Sequence, residues 1–173
     1  MKRIALLAAI GLALSGCGGL RPLYGGGAAG PVQSTLAAVE VAPIEGKSGW
    51  LVANALKDRF DAGRSEAARY RIEVKLDDQI AGLGVRRDDS VARERRTLRA
   101  RYQLIDLSNG AVVLDATAGS DAGIDVVGSE YATIAAENSA LERLSGIVAD
   151  QIVARVARFA QASAKGSGPA GVQ

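Results

Sequence analysis

Histidine is absent from this 173-residue chain, and cysteine, methionine and tryptophan each occur once. Without imidazole, Ser-His-Asp and Cys-His catalysis are excluded, and most zinc chemistry goes with them. The single cysteine, Cys17, admits no disulfide within the chain. Aromatic residues make up 4% of the sequence, and neither a basic tail nor finger spacing accompanies them. Nucleic acid is therefore not an expected partner. No apolar run reaches the ~20 residues that a membrane-spanning helix needs.

What the chain does have is 48% hydrophobic residues, enough for the core of one domain with extensions at its ends. Its excess of basic charge is confined to the start. Setting aside Lys2 and Arg3 reduces the 21 basic residues to 19, equal to the 19 acidic ones. Any basic character in the remainder must be local.

Lys2 and Arg3 precede an apolar run from Ile4 to Leu14, followed by Ser15 and Gly16. A charged start, a short apolar stretch and small residues at the exit describe a secretory signal peptide over residues 1–16. Leu14-Ser15-Gly16-Cys17 matches the bacterial lipobox, in which the thiol accepts a diacylglyceryl group and becomes the new N-terminus. Several acyl chains anchor stably where one does not, so Cys17 is expected to be the lipidation site, holding the chain to outer-membrane lipid. Gly18 in place of aspartate resembles the outer-membrane address of Gram-negative lipoproteins. The rest of 17–35, including "YGGGAAGP", reads as a flexible tether, and it lacks the Lys-Ser/Thr ending of a phosphate-binding loop.

Residues 36–162 carry the periodicities of a folded domain. "LAAVEVAPIEG" predicts a short strand around Val39 and Val41, and Ser48 is placed to cap a helix with Leu51, Val52, Ala55, Leu56 and Phe60 at helical spacing. Trp50 is expected in its core or rim. "YRIEVKLDDQI" alternates strictly, "AGLGVRRDD" reads as a flexible tip, and "SVARERRTLRARYQLIDL" predicts the next strand. Ser108-Asn109-Gly110 signals a tight turn into a fourth strand. Ser129 then caps a long helix striped by Ile134, Leu141, Leu144, Val148, Ile152, Val156 and Phe159. Asn138 falls beside that stripe as a boundary residue. Residues 163–173 read as a disordered tail. The order β-α-β-β-β-α predicts an α+β two-layer sandwich, two helices on a four-stranded, mostly antiparallel sheet.

One charge pattern stands out. Arg93, Arg95, Arg99 and Arg101 are separated by even numbers, so a regular strand points all four to one face, away from Leu98, Ala100, Tyr102 and Leu104. Alternate strand residues lie ~6.6–6.8 Å apart, and such a row matches phosphates or acidic sugars. Two other readings stay open: a solvated face balanced by Glu73, Asp77 and acids of neighbouring strands, or a β-bulge between Arg95 and Leu98 that breaks the row. The pairs Asp77-Asp78 and Asp88-Asp89 do not make a catalytic dyad, because neighbours on a strand diverge and loop carboxylates are solvated. Arg86 and Arg87, beside Asp88 and Asp89, read as loop-solubilising charges, with contact to a partner as the other reading. No catalytic residue, metal ligand or cofactor is expected.

"CGGLRPLYGG" resembles the opening of the alphaproteobacterial lipopolysaccharide-assembly lipoproteins, the LptE family. "SEYATIAAENSALERL" with "IVARVARF", and "YQLIDLSNGAVVLDATAGS", are similar to the family's last helix and strand-turn-strand. Leu20 departs from the family's usual aromatic. The resemblance implies two helices on a four-stranded sheet and a non-enzymatic role. It implies an outer-membrane lipoprotein that plugs and helps assemble an LptD-like β-barrel and assists lipopolysaccharide delivery to the outer leaflet. Of site residues only Cys17 carries over; the arginine row is this chain's own spacing. An auxiliary lipoprotein of ABC-type phospholipid transport shares the lipobox, strand-turn-strand and long last helix, and is the alternative.

Overall fold

The alternating and helical stretches become regular elements in the computed structural model, which describes residues 30–60, 67–85, 91–126 and 128–166. In chain order these are α1 (Pro31–Ala37), β1 (Val39–Val41), α2 (Gly46–Phe60), β2 (Tyr70–Val85), β3 (Val91–Asp106), β4 (Val112–Asp125) and α3 (Glu130–Gly166). The leader, Cys17, the tether up to residue 29, Arg86, Arg87, Asp88, Asp89 and the last seven residues lie outside the described ones.

The four strands form one sheet in the order β1-β2-β3-β4. β1 pairs parallel to β2, and β2, β3 and β4 pair antiparallel in succession. The expected α+β sandwich is therefore present, with a mixed sheet because β1 reaches β2 through the α2 crossover. Lys47 Nζ donates to Asn138 Oδ1 at 2.6 Å, and Arg59 Nε donates to Asp150 Oδ1 at 2.6 Å. Both bridges span 91 residues, so α2 and α3 run side by side in the same direction.

Period two sorts the sheet. Ile72, Leu98, Ala100, Tyr102 and Leu104 are buried against Val52, Leu56 and Phe60 of α2 and Leu141, Leu144, Val148, Ile152 and Val156 of α3. Leu56, Leu104, Ile152 and Val156 are fully excluded from water, and burying side chains of this size contributes about 1.5–3 kcal/mol each. Tyr70 meets Phe159 edge-on, with ring centroids 6.1 Å apart.

Several local expectations are corrected. A third helix, α1, begins with proline at its first turn and occupies residues read as the end of the tether and the start of a strand. Its Val32 and Leu36 are buried in the core. α2 starts at Gly46, which puts Ser48 inside the helix rather than at its cap. Trp50 is 64% exposed, because the buried face of α2 is Gly49, Val52, Ala53, Leu56 and Phe60. "AGLGV" is not a loop tip: Gly82 pairs with Glu94 and Leu83 with Arg93, extending β2 to Val85. Ile134 is 47% exposed, and α3 buries its stripe only from Ala140 onward. α3 also runs on to Gly166, past the predicted start of the tail.

At the β3–β4 turn, Asp106 accepts Ser108 N–H at 2.9 Å and Ser108 O–H at 2.6 Å, and Gly110 takes φ +73° to close it. These bonds from Ser108 hold the Asp106 carboxyl below its ordinary value, with Arg69 assisting.

Candidate functional site

β3 keeps its pairing with both neighbours from Arg93 to Leu104, and its register shift falls between Leu104 and Ile105. No bulge interrupts the arginine row. Arg93, Arg95, Arg99 and Arg101 therefore share the sheet face opposite the helices, and all four are exposed.

β4 brings acids to three of them. Arg93 Nε donates to Asp125 Oδ1 at 2.9 Å, across a direct register pair. Arg95 Nε lies 3.9 Å from Asp121 Oδ2, a charge contact beyond hydrogen-bond reach. Arg101 Nη2 and Nε donate to Asp115 at 3.1 and 3.4 Å, and Gln103 Nε2 donates to the same carboxylate at 2.8 Å. The bond from Arg101, then that from Gln103, lowers the Asp115 carboxyl; the same contact raises the Arg101 guanidinium. Arg93, Arg95 and Arg101 thus meet acids of β4 as the solvated-face reading expects, while Arg99 is exposed with no ion pair among the described residues.

Arg99 stands opposite Asp77 on β2 and Gly119 on β4. Asp77 is taken by Gln79 Nε2 at 3.0 and 3.2 Å, and no ion pair joins Arg99 to an acid among the described residues. Gly119 makes room for this side chain: a Cβ there would lie 2.6 Å from Arg99 Cδ and 2.7 Å from its Nη1. One turn of the ladder away, Lys75 sits directly opposite Arg101, a like-charge pair that ordinarily disfavours the sheet. Lys75, Asp77, Arg99, Arg101, Thr117 and Gly119 line an open groove of about 660 Å³. Three cations stand here with three carboxylates, Glu73, Asp77 and Asp115, so this part of the face is close to charge balance, and Arg99 is the arginine in it with no ion pair among the described residues.

Sequence reasoning missed Arg96. Its even position turns it to the helix side, where Nε and Nη2 grip Asp78 at 2.8 and 2.7 Å. Nη1 donates to the Glu137 carbonyl of α3 at 3.1 Å. The signal was present in the parity, since Arg96 is a charge among the apolar positions Leu98, Ala100, Tyr102 and Leu104. Asp77 and Asp78 diverge to opposite faces as adjacent strand residues must. No described helix is long and apolar enough to cross a membrane.

The sequence model of the LptE family, described as lipopolysaccharide-assembly, matches residues 36–156. Among solved structures, a lipoprotein of Caulobacter crescentus is similar at 25% identity and TM-score 0.65, over 78% of this chain and 98% of that one. Lipoprotein B of Nitrosomonas europaea shares the fold at 14% identity and TM-score 0.55, over 76% and 92% of the two chains. A minor lipoprotein of Acinetobacter baumannii does so at 14% identity and TM-score 0.54, over 69% and 91%. Comparison with curated proteins gives no significant match.

Proposed function

Because the chain belongs to the lipopolysaccharide-assembly family LptE, we propose that it is an outer-membrane lipoprotein that plugs and helps assemble a lipopolysaccharide-translocating β-barrel. In this reading it assists delivery of lipopolysaccharide to the outer leaflet. Cys17 carries the acyl anchor, and the sandwich docks with its charged sheet face toward anionic groups of the glycolipid or the polar wall of the barrel lumen.

The observation that carries the site is the Arg99 guanidinium, without an ion pair among the described residues and seated over Gly119 beside Lys75 and Arg101. A guanidinium engages phosphate or carboxylate through two parallel hydrogen bonds, and among the described residues Arg99 has no ion pair to release first. Arg93, Arg95 and Arg101 must exchange their exposed β4 acids for the incoming anion. Exposed ion pairs of this kind contribute little, so exchange is a small obstacle.

The test is purification of the full chain from detergent-solubilised outer membrane. A large β-barrel recovered in one-to-one ratio, with an acylated Cys17 by mass spectrometry, supports the proposal. Recovery from the cytosolic fraction, or an unmodified thiol, overturns it. Replacing all four arginines by alanine is expected to weaken binding of lipopolysaccharide or barrel; unchanged binding of both rejects the face as the site.

A further inference from the structure

β4 is the outermost strand on its side of the sheet, and alternate residues of an antiparallel edge strand turn their N–H and C=O away from the neighbour. At Gly119 those outward groups are occupied. Gln151 of α3 accepts the Gly119 N–H at Oε1, 3.0 Å, and donates Nε2 to the Gly119 carbonyl at 3.3 Å. A primary amide offers the same donor and acceptor as a peptide unit. Gln151 therefore stands where the backbone of a fifth strand would stand.

Thr117 and Asp121 share the parity of Gly119, with no register shift between them, so their N–H and C=O groups face the same edge. An edge strand of 14 residues is a template for pairing with another chain. The residues here admit a second copy. Antiparallel pairing of two β4 strands about Gly119 sets Thr117 of one against Asp121 of the other, and Asp115 against Gly123. No like charges come opposite one another in that register, so electrostatic repulsion does not forbid it. The glycines at 119 and 123 put no side chain in the way.

We propose that Gln151 is an edge guard whose side-chain amide keeps β4 from pairing with β4 of a second copy of this chain. Both bonds are neutral and solvent-exposed, so they add little to the stability of the monomer. Their effect lies in what the edge can meet. A second chain must break them before it can start a ladder at the middle of the strand.

The test uses the full-length chain in detergent micelles, with sedimentation over a range of concentrations and amide hydrogen exchange. In the wild type, the Gly119 amide is expected to be protected while the edge amides of Thr117 and Asp121 exchange freely. Gln151→Ala should leave the thermal midpoint nearly unchanged, speed exchange at Gly119 roughly tenfold in dilute solution, and produce a concentration-dependent dimer. Adding Thr117→Pro, which removes an edge-facing N–H that an edge strand can spare, should return that variant to the monomer. Gln151→Ala remaining monomeric wherever the wild type does would overturn the proposal. So would a dimer indifferent to Thr117→Pro, or a wild type already dimeric with Thr117 and Asp121 protected.

Discussion

Arg96→Ala should be the most damaging single substitution at a charged position of this domain. The Arg96 and Asp78 side chains are 12% and 18% exposed, far below the 55–68% of Arg93, Arg95 and Arg101. Truncation deletes two hydrogen bonds to Asp78 and one to the Glu137 carbonyl, and leaves Asp78 largely desolvated with no counter-charge. Removing one partner of a fully buried pair costs about 3–5 kcal/mol, and the residual water access here lowers the expectation to about 2–3 kcal/mol. For a domain of this size that is a fall of roughly 6–12 °C in thermal midpoint. The bond to Asp78 raises the Arg96 pKa above its ordinary value, so no accessible alkaline pH substitutes for the mutation.

The assay is urea unfolding of Arg96→Ala, Asp78→Ala and the double variant. Because each single change strands the other charge, the double variant should be more stable than the sum of the two losses predicts, with a coupling of about 1–3 kcal/mol. Arg96→Lys should fall between wild type and Arg96→Ala, since an ammonium keeps the charge but not the fork that reaches Asp78 and Glu137 together. A loss below about 0.5 kcal/mol for Arg96→Ala, or strict additivity in the cycle, refutes the claim that this pair ties β2 and β3 to α3.

Arg99→Ala should weaken lipopolysaccharide binding roughly tenfold, the size of one lost charge-assisted contact, with the thermal midpoint held; equal binding to the wild type contradicts the assignment. Gly119→Ala should weaken the same binding while leaving the guanidinium chemically intact, because the new Cβ meets Arg99 Cδ, Arg99 Nη1 and the Leu98 carbonyl at 2.6, 2.7 and 3.0 Å and forces the side chain to shift. Isothermal titration of both variants against lipopolysaccharide micelles checks the pair. Asp106 and Asp115 have folded pKa values below the ordinary 3.8, so their stabilisation is complete above that value and disappears as pH falls through the lower folded values. Urea midpoints measured from pH 6 downward should therefore drop most steeply in that acid range, and less so in Asp106→Ala and Asp115→Ala.

The face assignment of the arginines was legible because period two is a local property, and the ladder from Arg93 to Leu104 has no break. Their partners were not. Whether Asp125 lies against Arg93 depends on the β3–β4 register, which the turn at Asp106–Gly110 and the shift at Leu104/Ile105 set together. One residue of slip would turn the acids to the other face. α1 was hidden for a different reason: seven residues cannot sustain a helix alone, and it exists by burying Val32 and Leu36 against the core. "AGLGV" reads as a loop from its glycines, while cross-strand pairing with β3 overrides that preference. Gln151 looked like an ordinary exposed helix residue, because nothing in a helical period reveals that an edge strand lies within reach.

The acids on β4 also bear on how the arginine face selects a partner. With Asp115, Asp121 and Asp125 interleaved among the guanidinium groups, the face has little net field, and distant anions are not drawn to it strongly. Recognition must then come at close range, where a rigid planar donor set is matched by oxygens at hydrogen-bond distance. Diffuse polyanions gain little from such a surface. A ligand bearing compact anionic groups gains more, beginning at Arg99, where Gly119 leaves space and no ion pair among the described residues holds the guanidinium. The same interleaving keeps the remainder of the face neutral enough to lie against a polar protein wall, so in the proposed reading one strand serves both contacts through the unequal pairing of its four arginines.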